Sequence, residues 1–283
     1  MDPVRYADHG AAARGVSVQP EAAGLGPCRL GAMGGPPVRV ATWNLERPRR
    51  GDGARAERQR RAMERVDADI WVLTEAHRDL APAAGFEGTW TRVADRDGAV
   101  GEVWAAIWSR YPLQPLPATR DEARAVGALV EPGHRRPVVV YGTVLPWLGS
   151  SWRGHPGAGG VAFAAALEAQ LADWMQLRER YRDCDFILAG DFNQDLAVRH
   201  HYGSRRNQQV LRSALGTAGL QCLTSGDQDP VWRGTGGYRA TVDHICANPE
   251  LAARALLPAS CWPAGRDPQA SLSDHFGVVV QVG

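Results

Sequence analysis

The feature that most constrains this chain is a repeated arrangement in which apolar, β-rich runs stop at an acid or an amide. Val38-Arg39-Val40-Ala41-Thr42-Trp43 leads into Asn44 and Glu46, and Asp69-Ile70-Trp71-Val72-Leu73-Thr74 leads into Glu75. Phe186-Ile187-Leu188-Ala189 opens into Gly190-Asp191-Phe192-Asn193, the run 241–247 carries Asp243-His244, and Ser273-Asp274-His275 immediately precedes Phe276–Val282. A hydrophobic core does not accept unpaired charges and amides, so these strands must bring their polar residues to one sheet edge. Carboxylates and amides gathered from separate segments form an oxygen-rich cage, which suits a hard divalent cation such as Mg²⁺ or Mn²⁺. One histidine among several carboxylates also suits hydrolysis. The metal would hold and polarise a phosphate, a carboxylate would orient water, and the imidazole would neutralise charge.

The remaining patterning places these runs in one α/β domain. Alternation and β-branched content predict further strands at 86–93, 103–108, 123–130 and 138–144, with a last pair at 241–247 and 276–282. Helices are expected at 57–66, at 161–181, where Leu167, Leu171, Trp174 and Tyr181 recur at helical spacing, and at 207–220, closed by Gly219. Residues 1–36 are rich in Ala, Gly and Pro without either period. They read as a disordered tail, or as an upstream extension if translation starts at Met33. The folded domain is expected over 37–283.

Composition excludes several classes. With 44% hydrophobic and 22% charged residues the bulk of the chain is neither disordered nor fibrous, and no apolar run is long enough to cross a membrane. Net charge is +1, and all 32 basic residues are Arg. That balance argues against coating nucleic acid by bulk charge, which needs many phosphate contacts, while leaving room for a local basic groove. Five scattered cysteines without a C-x-x-C pair read as reduced thiols, with a Cys222–Cys261 bridge as the alternative. With no basic segment followed by an apolar stretch near the N-terminus, the expected location is cytoplasmic.

In order, Thr42-Trp43-Asn44, Ile70-Trp71-Val72-Leu73-Thr74-Glu75, Gly190-Asp191-Phe192-Asn193, Val242-Asp243-His244 and Ser273-Asp274-His275 resemble the endonuclease/exonuclease/phosphatase superfamily. That group includes pancreatic-type deoxyribonucleases, abasic-site endonucleases, neutral sphingomyelinases and inositol polyphosphate 5-phosphatases. Ile107-Trp108-Ser109-Arg110-Tyr111-Pro112 is similar to a further family segment, and the likeness spans residue 38 to the C-terminus. The resemblance implies a four-layer α/β sandwich, two mixed β-sheets packed face to face with helices outside. It implies Glu75 as principal metal ligand, with Asn44 and Glu46 helping to hold the metal or its waters and Asp274 acting near it. It implies Asp191 as the group that orients or deprotonates water, Asn193 as a phosphate contact, and His275 as a phosphate contact partnered by Asp243.

One position departs from the family. Nucleases of this type place a His or Tyr in the segment that here reads Tyr141-Gly142-Thr143-Val144-Leu145-Pro146-Trp147. Alignment on Pro146 puts Val144 there, and an offset of one puts Thr143 there. Other groups are candidates to contact substrate in its place: Thr143 on the strand, Trp147, Arg153 and His155 in the following loop, Arg205 or Arg206 in the 199–206 segment, and Arg239 before the Asp243 strand. The alternatives are that Trp147 and Trp152 cap the core and that 199–206 is a solvated loop with Ser204 as a helix cap. The leading function is a divalent-metal-dependent phosphoesterase acting on a phosphodiester or phosphomonoester, with nucleic acid or a nucleotide as one substrate class and no stable membrane association. The alternatives are a phosphatase of a small phosphorylated metabolite or lipid headgroup, and an inert binding module on the same fold.

Overall fold

A computed structural model describes residues 35–48, 53–92, 100–265, 267–269 and 272–283. The expected tail over 1–36 lies outside the described residues except for Gly35 and Pro36, as do Cys28 and Val93. The N-terminal part builds a first sheet from β1 (Val38–Asn44), β2 (Ile70–His77), β3 (Glu87–Trp90) and β4 (Glu102–Ser109), with helix α1 (Gly53–Val66) between the first two strands. The chain then crosses to a second sheet through β5 (Leu113–Pro115), β6 (Ala125–Val130), β7 (Val138–Val144), β8 (Asp185–Asp191), β9 (Gln221–Cys222) and β10 (Asp243–Ala247). Helices α2 (Val161–Arg180), α3 (Arg205–Thr217) and the short α4 (Pro230–Gly234) connect its later strands. After α5 (Pro249–Ala252), β11 (Ala255–Trp262) and β12 (Gly277–Val282) return to the first sheet.

The strand orders are β11-β12-β1-β2-β4-β3 and β5-β6-β7-β8-β10-β9. Each sheet has one parallel pair, β1 with β2 and β7 with β8, among antiparallel neighbours, so both sheets are mixed. Apolar residues from the inner faces of both sheets, among them Val40, Val72, Ile107, Val140, Ile187, Ile245 and Val280, fill the space between them. The outer face of the second sheet packs Tyr141, Phe186 and Leu188 against Phe163, Leu167 and Trp174 of α2 and Leu211 of α3. The outer face of the first sheet packs Trp43, Trp71 and Leu73 against Ala62 and Met63 of α1. Helix, sheet, sheet and helix make the four layers that the family resemblance implies.

Strand β11 was not expected from the sequence. Its segment contains Pro258, and its pairing with β12 shifts register between Leu256 and Ser260. Both features are tolerated because β11 is an edge strand. The helix expected at 207–220 begins earlier, at Arg205, because Ser204 caps it, its hydroxyl accepting from the Asn207 N–H at 3.0 Å. Among the described residues, Cys222, Cys246 and Cys261 are free thiols. Among the described residues no helix is long and apolar enough to cross a membrane.

The sheets face each other with β12 over β10, β1 over β8 and β10, β2 over β7 and β8, and β4 over β6 and β7. The parallel strands β1, β2, β7 and β8 all end on the same side, and their ends define the edge at which the polar residues collect.

Candidate active site at the strand ends

Local backbone geometry turns each polar side chain toward that edge. Among the described residues, six non-glycine positions have a left-handed backbone, and Glu46, Arg47, Glu75 and Asn193 are four of them. Such conformations cost of order 1–3 kcal/mol each and persist only where the surroundings fix them. At Glu75 (φ 44°) strand β2 changes face: Thr74 pairs with Ala105 and Ala76 with Val103, with Glu75 and Trp104 lying between. Gly190 precedes Asp191 with φ 139°, and a Cβ there would sit 2.0 Å from the Thr143 carbonyl oxygen. Only glycine lets β8 lie this close to β7 at its last turn.

Asp191 and Asp243 stand directly opposite each other on antiparallel neighbours. Asp191 is held on three sides. Its Oδ1 accepts from the Asn193 backbone N–H at 2.8 Å, and its Oδ2 accepts from Asn193 Nδ2 at 3.1 Å and Asn44 Nδ2 at 3.0 Å. Asn44 Nδ2 also reaches Glu75 Oε1 at 3.3 Å, so one amide ties together carboxylates from both sheets. His275 Nδ1 lies 2.6 Å from Asp243 Oδ2, and Asp274, exposed, lies 3.8 Å from His275 Nε2. Ser273 fastens this last loop to β1, its hydroxyl donating to the Asn44 carbonyl at 2.6 Å and accepting from the His275 N–H at 3.0 Å.

These contacts set the charges. Burial pushes the Asp191 carboxyl up and the Asp243 charge adds to it; the His275 cation, the Asn193 N–H and the Asn44 amide pull it back, leaving it at about 7. For His275 burial opposes the cation, but the charge and hydrogen bond of Asp243, with Asp191 and Asp274 behind it, prevail and raise the imidazole to about 10. Asp191, Asp243 and His275 each offer an atom within 4.8 Å of the others. An imidazolium has no lone pair for a metal, so this triad is better matched to proton transfer and to an anion than to a cation.

A divalent cation fits one step along the edge. There Glu75 and the buried Asp191 share the Asn44 amide, and Asp243 Oδ1 is buried without a hydrogen-bond partner among the described residues. Although Arg47 pairs with Glu75 and His275 with Asp243, this is a crowd of oxygen ligands, the donor set of Mg²⁺ or Mn²⁺. Glu46 sits beside it through its backbone N–H, which donates to Asn44 Oδ1 at 2.8 Å, while its side chain is paired with Arg55. Asn44 as placed here therefore fastens Glu75 and Asp191 through its NH₂.

The six candidate substrate contacts are placed less uniformly. Thr143 lies on the outer face of the second sheet, fully buried, its hydroxyl donating to Gln170 Oε1 on α2 at 2.7 Å. Side chains alternate along a strand, so Val144 faces the interior beside Asp191, with which it is in register, while Thr143 faces away. The expectation that Thr143 meets substrate is thus at odds with its position. Trp147 is half-buried, 6.3 Å from Trp104 between ring centroids. His155 stacks on Trp152 at 5.9 Å, and Arg153 covers the same ring at 4.9 Å. Arg239 is bound to Asp267 at 2.6 Å, and Arg205 is exposed at the start of α3. His244, adjacent to Asp243 in sequence, is buried on the other face of β10 between Thr224 and the Gln194 carbonyl.

Several supporting residues carry no local sequence signal. Gln59 of α1 donates to the carbonyls of Leu45 at 2.9 Å and Leu272 at 2.6 Å, clamping the loop after β1 to the loop before β12. Asp195, fully buried, accepts from the backbone N–H groups of His201 at 2.8 Å and Tyr202 at 2.6 Å and so pins the 195–202 loop. That loop brings the Tyr202 phenol near the site: burial and the charges of Asp191 and Asp274 raise it above its ordinary value. Each contact joins residues distant in sequence or depends on a loop path, so only a sequence pattern for the whole fold would have revealed it.

A sequence model of the endonuclease/exonuclease/phosphatase family matches residues 41–275. Among curated proteins no sequence match is found. The fold is similar to an abasic-site (AP) endonuclease from Leishmania major at 14% identity, covering 87% of both chains with a TM-score of 0.63. It is similar to the 3′-5′ exonuclease NExo of Neisseria meningitidis at 21% identity, covering 87% of this chain and 99% of the other with a TM-score of 0.54. A third likeness is to the catalytic domain of human nocturnin with bound sulfate, at 17% identity over 88% and 93% of the two chains and a TM-score of 0.53.

Proposed function

The chain belongs to the endonuclease/exonuclease/phosphatase family, and on that premise we propose that it is a divalent-metal-dependent phosphoesterase. The observation that carries the reading is the meeting, at one sheet edge, of Asp191 with the Asp243–His275 pair, where burial pushes the Asp191 carboxyl up to about 7 and Asp243 pushes the imidazole up to about 10. Neutral water attacking a phosphate ester needs a base whose pKa lies near the working pH and a cation for the charge that builds on the phosphoryl oxygens.

Glu75, with Asp191 and Asn44 beside it, would hold Mg²⁺ or Mn²⁺, which when bound supplies Lewis-acid polarisation of the phosphate. Asp191 orients water and takes its proton on a carboxylate whose geometry Asn193 fixes from two directions. His275 presents Nε2–H to a phosphoryl oxygen. Asp243 grips Nδ1, which keeps the ring protonated and fixes its plane. Val144 forms an apolar wall beside Asp191 and provides no donor to a leaving group. The AP endonuclease and the 3′-5′ exonuclease among the similar folds support a nucleic acid or nucleotide as the substrate class.

The test is hydrolysis with added Mn²⁺ or Mg²⁺ on a panel of single- and double-stranded DNA, abasic DNA, RNA, a chromogenic phosphodiester, inositol phosphates and sphingomyelin, with Glu75→Ala and His275→Ala alongside. Metal-dependent release lost in both variants is expected. Mn²⁺ should also raise the Tm of the parent chain, by about 2.7 kcal/mol of added stability at 100 times Kd, and Glu75→Ala should abolish that rise. Silence across the panel with no effect of metal on Tm would leave the inert module as the reading.

A further inference from the structure

On the outer face of the second sheet, two nucleophilic side chains are set opposite each other. Cys222 of β9 and Cys246 of β10 are register partners on antiparallel strands. One position away on each strand, the Leu223 N–H donates to the Ile245 carbonyl at 2.8 Å. That bond marks Cys222 and Cys246 as a pair that exchanges no backbone hydrogen bonds of its own, the kind with the closer Cα atoms, about 4.5 Å apart. A disulfide needs a Cα separation of about 4.4–6.8 Å, so this register brings the two thiols within bonding reach. We propose that Cys222 and Cys246 form a reversible oxidation site, in which a peroxide oxidises Cys222 and Cys246 then closes a cross-strand disulfide. The proposal is independent of the phosphoesterase reading.

The surroundings give the two thiols different roles. Cys222 is half-buried on a two-residue strand at the edge of the second sheet, while Cys246 is fully buried one strand further in. A small oxidant therefore meets Cys222 first. His244 lies two residues before Cys246 and so on the same face of β10. Its Nε2 is 3.1 Å from the Gln194 carbonyl, which only accepts, so Nε2 carries the hydrogen and Nδ1 the lone pair of the neutral ring. Cys222 Sγ lies 3.6 Å from that Nδ1 and 3.6 Å from the Thr224 hydroxyl, so the thiol has polar partners suited to its ionised form. Burial pushes the Cys222 thiol up, but the hydrogen bond with Cys246, the charge and hydrogen bond of His244 and the Thr224 hydroxyl together hold it well below its ordinary value. Burial pushes Cys246 well above its own, and Cys222 adds to the rise.

Cys261, the partner for Cys222 that the sequence left open, is placed elsewhere. It packs against the core between the two sheets, whereas Cys222 packs on the outer face of the second sheet. Its thiol donates to the Pro230 carbonyl at 3.3 Å, and burial pushes it up to about 11. The chemistry at Cys222 balances with one peroxide. The Cys222 sulfur attacks a peroxide oxygen and the O–O bond breaks, leaving a sulfenic acid, while the released hydroxide takes the thiol proton as water. The Cys246 sulfur then attacks the Cys222 sulfur, an S–S bond forms, and the S–O bond breaks to release a second water carrying the Cys246 proton. Two electrons pass from the thiol pair to the peroxide, and a thiol reductant returns them.

The test treats the full chain, reduced and then freed of reductant, with hydrogen peroxide. Samples are quenched in acid, unfolded, alkylated and read by intact mass and peptide mapping. A cross-linked peptide pair joining Cys222 to Cys246, reversed by dithiothreitol, is expected. It should form about tenfold or more faster than any oxidation of Cys184 or Cys261, in line with the larger thiolate fraction at Cys222. In Cys246→Ser the reaction should stop at the Cys222 sulfenic acid, trapped as a dimedone adduct, and Cys246→Ala supplies the same readout if the buried position rejects a hydroxyl. In Cys222→Ser neither the cross-link nor an adduct at Cys246 should form. Absence of the cross-link in the parent chain, a bridge from Cys222 to Cys261, equal oxidation rates at Cys222, Cys184 and Cys261, or a dimedone adduct at Cys246 in Cys222→Ser overturns the proposal.

Discussion

The two ends of the functional edge are built on different principles. At the His275 end, Asp243, Asp191, Asn193 and Asn44 are fixed by short, directional hydrogen bonds, 2.6–3.1 Å. At the Trp104 end, Arg47, Arg124 and Trp147 are held by stacking, with ring-to-cation distances of 4.5–5.8 Å and few bonds of fixed direction. Hydrogen-bond networks in a buried place fail when one member is lost, because the partner is stranded. Stacked contacts degrade gradually, because each surviving face still covers its neighbour. The lesson is that one edge combines a part that tolerates almost no substitution with a part that tolerates many.

The sharpest way to break this comparison is Asp191→Asn. Loss of the base should lower kcat by about 10²–10⁴-fold, measured on whichever panel member the parent hydrolyses. The carboxyl is held near 7 against an ordinary value of 3.8, so its ionised form is disfavoured in the fold and the stability it confers is present below pH 3.8 and lost as pH rises through about 7. At pH 8 the variant should therefore melt no lower than the parent. A full-activity variant would remove Asp191 from the mechanism, and a large fall in Tm would make its role structural.

Asp243→Asn comes next. The His275 imidazole, raised to about 10, gives stability that is complete below pH 6.5 and lost as pH rises through about 10. Without the Asp243 charge the imidazole should titrate lower, so the alkaline limb of a kcat/KM profile should move to lower pH, with a loss at pH 8 of about 10–100-fold if one charge-assisted bond is forfeited. A limb that stays in place would show that His275 does not supply the required cation.

The smallest effect is expected at Thr143→Val. Its hydroxyl serves Gln170 and faces away from the edge, so the change should cost about 1–3 kcal/mol of stability through a stranded buried amide oxygen. KM should not change, because substrate does not reach that face. Denaturant unfolding and KM measured on one preparation separate the two readings, and a raised KM at normal stability would return Thr143 to the substrate contacts.

Much of the fold and of the hydrogen-bonded end was legible in the residues themselves. A strand that is apolar up to its last turn and then offers Asn44, Glu75 or Asp191 states both its own existence and where its edge lies, because burial would not permit those groups elsewhere. Family order then ties the five segments together. The stacked end was not legible for a physical reason. Trp104 and Arg124 belong to different sheets, and tryptophan in a β-rich run reads as core. Only the meeting of β4 with β6 brings the two together. Strand β11 was hidden by Pro258, and Gln59 by lying on a charged helix where a glutamine carries no pattern. Thr143 was offered as a substrate contact because sequence near a strand end does not fix which face each residue takes when the alignment can slip by one.

Strand β12 lies in the interior of the first sheet, between β11 and β1, although its residues follow those of β1 by more than two hundred positions. The same loop closure unites Trp43 with His275 and Asn44 with Ser273 across sequence separations of 232 and 229. During synthesis β1 is made long before β12, and it waits with one side unpaired until the segments between them have been translated. Long-range pairing of this kind is slow and comes late. A nascent chain therefore acquires the His275 imidazole in the same event that closes its first sheet.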